Sequence, residues 1–378
     1  MTAAILLFIV NLIFKGFLIG KTPNSLSLSE IDLLRRFNVY PAIGDYSFRY
    51  LAVIMSAAIS LLTFYFIYRQ TKNFWLAIAV VLSLTFAPYL FILSRFLNVY
   101  IAFLFLIAAG LALLPNNKLK YLAIIILVFA FSDRRIVSAD LNDLFKILDL
   151  RNLFFAGDTV SSVLHIPLTG FFMYVDLFFL FAGWYFLYLK KGAEKLVNPL
   201  NFLFATGIVF YFLSTSSSLN TYRGLLIFYY LSIVIGSGYY FLARNRLLPL
   251  IIIIVLANIV FYQELAYNHF DKKSSFEWGY AEQATIQYFN NRHLSQPLIL
   301  SKSSAGKLDR YVNFFSNTNF KTKTLTVNQM KKTCVKNSSN YCLVREDELP
   351  YFGLAKDDIK LVFRYYDGLP MYFLLPTR

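Results

Sequence analysis

Nine apolar runs recur along the first two thirds of this chain, and they constrain the fold more than any other feature. They cover residues 2–19, 47–68, 74–93, 97–114, 119–131, 168–189, 199–214, 222–243 and 247–265. A helix that crosses a bilayer needs about 20 mostly apolar residues. Most of these runs approach that length, and 119–131 is short. The composition agrees: 58% of the 378 residues are hydrophobic and only 15% are charged, against about 25% in soluble domains. The balance excludes an ordinary soluble enzyme, a disordered chain and a nucleic-acid binder. The net charge of +15 is then read as basic loops at a membrane surface. The first run lacks a basic leader and is interrupted by Lys15, so it reads as a span and not as a cleaved signal peptide.

Lys and Arg in the short loops set the expected orientation. One set of loops carries Arg69, Lys72, Lys118, Lys120, Lys190, Lys191, Lys195, Arg244 and Arg246 against a single acid, Glu194. The alternate loops, 20–46, 94–96, 132–167 and 215–221, are acidic or mixed. The N-terminus is therefore expected in the cytoplasm, and everything after the ninth run outside, in the cell membrane's outer space. The expected architecture is an α-helical polytopic membrane domain over 1–265, followed by a small extracytoplasmic α/β domain over 266–378.

In that tail, apolar bursts at 297–300, 341–344, 359–366 and 371–375 predict strands. Helical spacing falls at 278–291 and 306–316. Cys334 and Cys342 flank a short polar loop there. In an oxidising compartment they are expected to form a disulfide.

Several ionisable residues are candidates for chemistry. The first outer loop holds Glu30, Asp32, Arg35 and Arg36, with Asp45 further on. A carboxylate here can take a proton from an acceptor hydroxyl, and the arginines can grip a phosphate with forked hydrogen bonds. A plainer reading stands beside that one. Ser27-x-x-Glu30 is a capping box, which makes Glu30 a helix-start residue, and Arg35 and Arg36 can face lipid headgroups.

The loop 132–167 carries Asp158 and His165, read either as a substrate-facing rim or as solvated polar residues. Its middle is amphipathic, with Leu141, Leu144, Phe145 and Leu148 against Asp143, Lys146 and Asp149, as expected of a helix in the membrane interface. Asp176 lies inside a span, where an acid is costly and is either functional or bonded to a neighbouring helix. Lys15 is expected to snorkel to the surface. Arg95 ends the third span, where it can hold a phosphate or anchor the helix. There is no nucleotide-binding loop and no metal-ligand motif. No cofactor is expected, with a divalent cation left open.

Five stretches carry a family resemblance. They are Pro23–Asp32; Arg49 with the span ending Tyr68-Arg69; Ala87-Pro88-Tyr89 through Ser94-Arg95; Phe154 through Asp158 with His165-Ile166-Pro167, Gly170 and Tyr174-Val175-Asp176-Leu177; and Phe276 through Glu282. In this order they resemble the membrane glycosyltransferases of the GT-C superfamily, in the bacterial branch related to protein mannosyltransferases and aminoarabinose transferases. The resemblance implies transfer of a sugar from a polyprenyl-phosphate carrier, at the outer face, to a glycan, lipid or protein acceptor. It also implies an acid base in the first loop. That position is Ser29 here, followed by Glu30, so Glu30, Asp32 or Asp45 must substitute if catalysis is kept. The chain is shorter than the family by two or three spans near 132–141. Two functions therefore stay open: an active transferase, and a non-catalytic relative that binds a lipid-linked sugar or scaffolds a cell-envelope glycan assembly complex. A transporter comes third. For the first two, an outward cavity is expected, rimmed by Glu30, Asp45, Arg95, Asp158 and His165.

Overall fold

The computed structural model describes residues 2–17, 19, 25–42, 45–114, 116–132, 141–157, 166, 168–213, 220–270, 278–292, 297–315, 320–336, 341–355, 359, 361–364, 368 and 370–375. The chain divides into two compact units. The first joins Met1–Ile19 to Phe48–Phe270, and the second joins Gly20–Ser47 to Asp271–Arg378. The sequence reading placed the first outer loop with the membrane helices and began the tail at 266. In the structure that loop segment folds with the tail.

The first unit is helical. It contains α1 (Thr2–Gly16), whereas α2 (Leu28–Arg36) belongs to the second unit. The first resumes with α3 (Tyr50–Thr71), α4 (Phe74–Phe86), α5 (Pro88–Leu93), α6 (Val99–Leu113), α7 (Asn117–Phe131), α8 (Leu141–Leu148), α9 (Asp176–Trp184), α10 (Glu194–Leu213), α11 (Leu225–Leu242) and α12 (Leu248–Asn268). Each of the nine apolar runs falls on one or more of these helices. Among the described residues, four helices are long and apolar enough to cross a membrane: Ser47–Thr71, Glu194–Leu213, Leu225–Asn245 and Leu248–Asn268. The apolar helices Ile5–Gly16, Phe74–Phe86, Val99–Leu113 and Asp176–Leu189 are shorter.

Local chemistry sets these boundaries. Asn73, Asn98 and Asn116 cap α4, α6 and α7, each side chain accepting a backbone N–H of the first turn. Pro88 lacks an N–H, so the run 74–93 breaks into α4 and α5 with the proline at the new helix start. The run 168–189 becomes helical only at Asp176. Ahead of it the backbone is tied elsewhere, with Phe172 N–H donating to Leu153 C=O at 2.9 Å. Gly170 lies so close to Leu153 and Phe154 that a Cβ would stand 2.2 Å from the Leu153 oxygen. α9 and α11 also touch backbone to backbone. A Cβ on Gly183 would fall 1.8 Å from the Val234 oxygen, and one on Gly238 would fall 2.0 Å from the Phe179 oxygen. Small residues of this kind let membrane helices pack closely.

α8 forms within the expected amphipathic stretch with Leu144 and Ile147 buried, but Leu141 and Phe145, expected on the apolar face with Leu144, are exposed.

The second unit is α/β. Its further elements are α13 (Tyr280–Asn290), β1 (Leu298–Ser301), α14 (Lys302–Val312), β2 (Thr322–Leu325), α15 (Val327–Lys336), β3 (Cys342–Val344), β4 (Val362–Arg364) and β5 (Pro370–Leu374). The sheet order is β2-β1-β3-β5-β4. β2, β1 and β3 are parallel, joined by α14 and α15, and β5 pairs antiparallel with β3 and β4. β2 and α15 were not predicted. β2 reads Thr-Lys-Thr-Leu and sits at the sheet edge, where polar residues are stable and discourage further pairing. Cys334 and Cys342 are joined in a disulfide that packs with Ile299, Met330, Val344 and Phe373.

Candidate functional site

In the second unit, Ser27 and Glu30 close the capping box. The Ser27 side chain accepts the Glu30 N–H, and the Glu30 carboxylate accepts the Ser27 N–H, both at 3.3 Å. Glu30 is fully buried. A carboxylate sealed in this way cannot meet an acceptor hydroxyl without leaving its cap. Asp32, two residues on, is held by Arg310, which donates from Nη2 to both carboxylate oxygens at 2.8 and 2.9 Å. Arg35 donates to the Arg310 carbonyl at 3.0 Å and lies over the Phe314 ring. These residues bind the tail, where the sequence reading offered them to substrate. Arg36 is exposed.

Asp45, exposed like Asp32, has no basic partner in the described contacts: its carboxylate accepts the Ser47 N–H at 3.0 Å at the start of a short helical turn. That backbone hydrogen bond holds its pKa below the usual carboxylate range. In the same unit, the Tyr311 hydroxyl donates to the Leu26 carbonyl. Burial, with Glu282 and Glu30 close by, pushes its pKa well up, so it is a neutral donor.

In the first unit, Arg95 is buried and donates to the Lys15 and Phe17 carbonyls at 3.0 and 2.8 Å, where α1 ends. It also lies against the Phe91 and Tyr267 rings. Of the two sequence readings, anchoring matches this geometry. Asp176 is buried too. One carboxylate oxygen accepts the Met173 N–H at 3.0 Å, and the other accepts the Tyr239 hydroxyl of α11. It bonds a neighbouring helix, the second of its two sequence readings.

Lys15 does not snorkel. Its Nζ is fully buried and donates to Ser56 Oγ at 2.7 Å. A buried amine inside an apolar bundle requires a hydrogen-bond partner, and Ser56 supplies it. One turn up, Asn11 donates to Thr85 at 2.7 Å. The partners Arg310, Tyr239 and Ser56 were missed in the sequence because each lies far along the chain from the residue it binds. The available signal was the row of small and hydroxyl residues within α3 and α11.

Asp158 and His165 lie outside the described residues. Of the other expected rim residues, Glu30 and Asp45 belong to the second unit and Arg95 to the first. Among the described residues, no group of three or more His, Cys, Asp or Glu side chains is placed to hold a metal. No family model, curated protein or solved structure matches this chain.

Proposed function

We propose that this chain is a multi-pass protein of the cell membrane that binds a polyprenyl-phosphate-linked sugar without transferring it, as a non-catalytic relative of the GT-C glycosyltransferases. On this reading the N-terminus is cytoplasmic, and the α/β unit with its first-loop segment lies outside. It serves as a binding or scaffolding part of a cell-envelope glycan assembly complex. The observation that carries the reading is the closed capping box: Glu30, which adjoins the position of the family's base, is fully buried and spends its carboxylate on the Ser27 N–H. Asp32 is likewise occupied by Arg310.

The second reading, an active hexosyltransferase, is favoured by Asp45. It is the one first-loop acid that is exposed and held only by its Ser47 neighbour in the described contacts. Its lowered pKa makes it a weaker base than an ordinary carboxylate. The experiment uses the full chain in lipid nanodiscs with radiolabelled polyprenyl-phosphate hexoses. The first reading predicts saturable donor retention with no sugar released to water or acceptor. Donor consumption that disappears in Asp45→Asn would establish the second.

A further inference from the structure

The first unit contains an apolar groove of about 670 Å³ with no role in the reading above. Its walls are Trp75 and Phe86 from α4 and Leu248 and Ile259 from α12, with Tyr240 and Arg244 at the end of α11. The groove follows α4 from Trp75 to Phe86, eleven residues, or about 16 Å at the helical rise. That matches about 15 Å for one half of a bilayer's hydrocarbon core.

The two ends differ chemically. Phe86 and Ile259 close one end with hydrocarbon. At the other, Asn73 donates to the Tyr240 hydroxyl at 2.7 Å and fixes the start of α4 beside the end of α11. Exposed Arg244 lines that end. Trp75 is exposed there, the usual place of an indole at a membrane–water interface. Among the described residues, no acid lines the groove.

We propose that this groove holds one anionic glycerophospholipid of a single leaflet, with its acyl chains along α4 and α12 and its phosphate at Arg244. A leaflet-long apolar channel accepts the chains, and the basic rim selects the charge of the headgroup. The concavity, with Arg244 at one end, sets this groove apart from a flat lipid-facing helix surface.

Trp75 is a built-in reporter. The full chain is placed in phosphatidylcholine nanodiscs containing either brominated phosphatidylglycerol or brominated phosphatidylcholine at equal mole fraction. The Trp75 signal is taken as parent fluorescence minus that of Trp75→Phe. Brominated phosphatidylglycerol is expected to occupy the groove roughly fivefold more, the factor one basic residue near an anionic surface supplies. Arg244→Gln, at an exposed helix end, removes that preference. Ala79→Phe, on the groove wall, lowers quenching by brominated phosphatidylglycerol. Three results overturn the proposal: equal quenching by both lipids, a preference that survives Arg244→Gln, or displacement of the brominated lipid by a smaller mole fraction of undecaprenyl phosphate.

Discussion

Asp32 and Arg310 are 278 positions apart in the chain, yet the Arg310 guanidinium reaches both oxygens of the Asp32 carboxylate, at 2.8 and 2.9 Å. Arg35, on the next turn of α2, takes the Arg310 carbonyl at 3.0 Å. One face of the first-loop helix therefore grips one residue of α14 by side chain and by backbone. Both partners of the ion pair are partly exposed, so the pair is worth only about 0.2–1 kcal/mol despite its forked geometry. A double-mutant cycle with Asp32→Asn and Arg310→Gln, read by hydrogen exchange over 28–36, should return a coupling in that range. Zero coupling would mean that the ion pair adds nothing to what the buried Ile31 and Leu34 and the Arg35 bond to the Arg310 carbonyl supply.

Glu282 gives the second unit a pH dependence. It is fully buried, accepts from Tyr372 at 3.1 Å and lies 3.4 Å from the Lys307 ammonium. Burial raises its pKa above the ordinary value of 4.5, with Lys307 opposing the shift. A raised carboxylate pKa means the folded state binds the proton more tightly than the unfolded state. Stability from this group is thus greatest below pH 4.5 and falls as pH rises through the raised folded-state pKa. Unfolding of the second unit measured from pH 4 to 8 should show that fall, and Glu282→Gln should flatten it. An unchanged slope in Glu282→Gln would assign the dependence to another group.

The Cys334–Cys342 bond closes a loop with a sequence separation of 8. Its loss is expected to cost roughly 2–3 kcal/mol on a chain-entropy estimate. Cys334→Ala/Cys342→Ala should lower the denaturant midpoint of the second unit by a corresponding amount. Protein taken from native membranes should show no free thiol, and two free thiols would contradict the pairing.

Lys15 and Ser56 should respond unequally to substitution. Lys15→Met replaces a buried amine with an apolar chain of similar length and leaves only the Ser56 hydroxyl without its partner, so it should cost little. Ser56→Ala leaves the buried amine without this partner and should cost about 1–3 kcal/mol. Thermal aggregation of detergent-solubilised protein distinguishes the two. A Lys15→Met protein less stable than Ser56→Ala would show that the lysine has a role beyond its bond.

The apolar runs were legible because a helix in a membrane is specified by local composition. The helix in the middle of the 132–167 loop was legible from Leu141, Leu144, Phe145 and Leu148 at helical spacing, although Leu141 and Phe145 are exposed and the buried Ile147 was not singled out. The strands β1, β3, β4 and β5 announced themselves as apolar bursts, but β2 did not. An edge strand such as Thr322–Leu325 buries too little to need an apolar pattern. The largest departure was the partnership of 20–47 with 271–378. Neither segment's pattern names the other, and the contacts that join them, such as Arg310 to Asp32 and Tyr311 to Leu26, are between residues hundreds of positions apart. The candidate residues were visible as charges, while their roles depended on those distant partners.

Glu30 decides between holding structure and doing chemistry, and two substitutions separate these directly. Gln can replace Glu in a capping box, whereas Ala cannot. With unfolding of the second unit and donor turnover measured side by side, Glu30→Gln should match the parent in both. Glu30→Ala should lose about 1 kcal/mol of stability with the cap. A Glu30→Gln protein that unfolds like the parent but no longer consumes a polyprenyl-phosphate hexose that the parent consumes would contradict the structural role and make Glu30 the base.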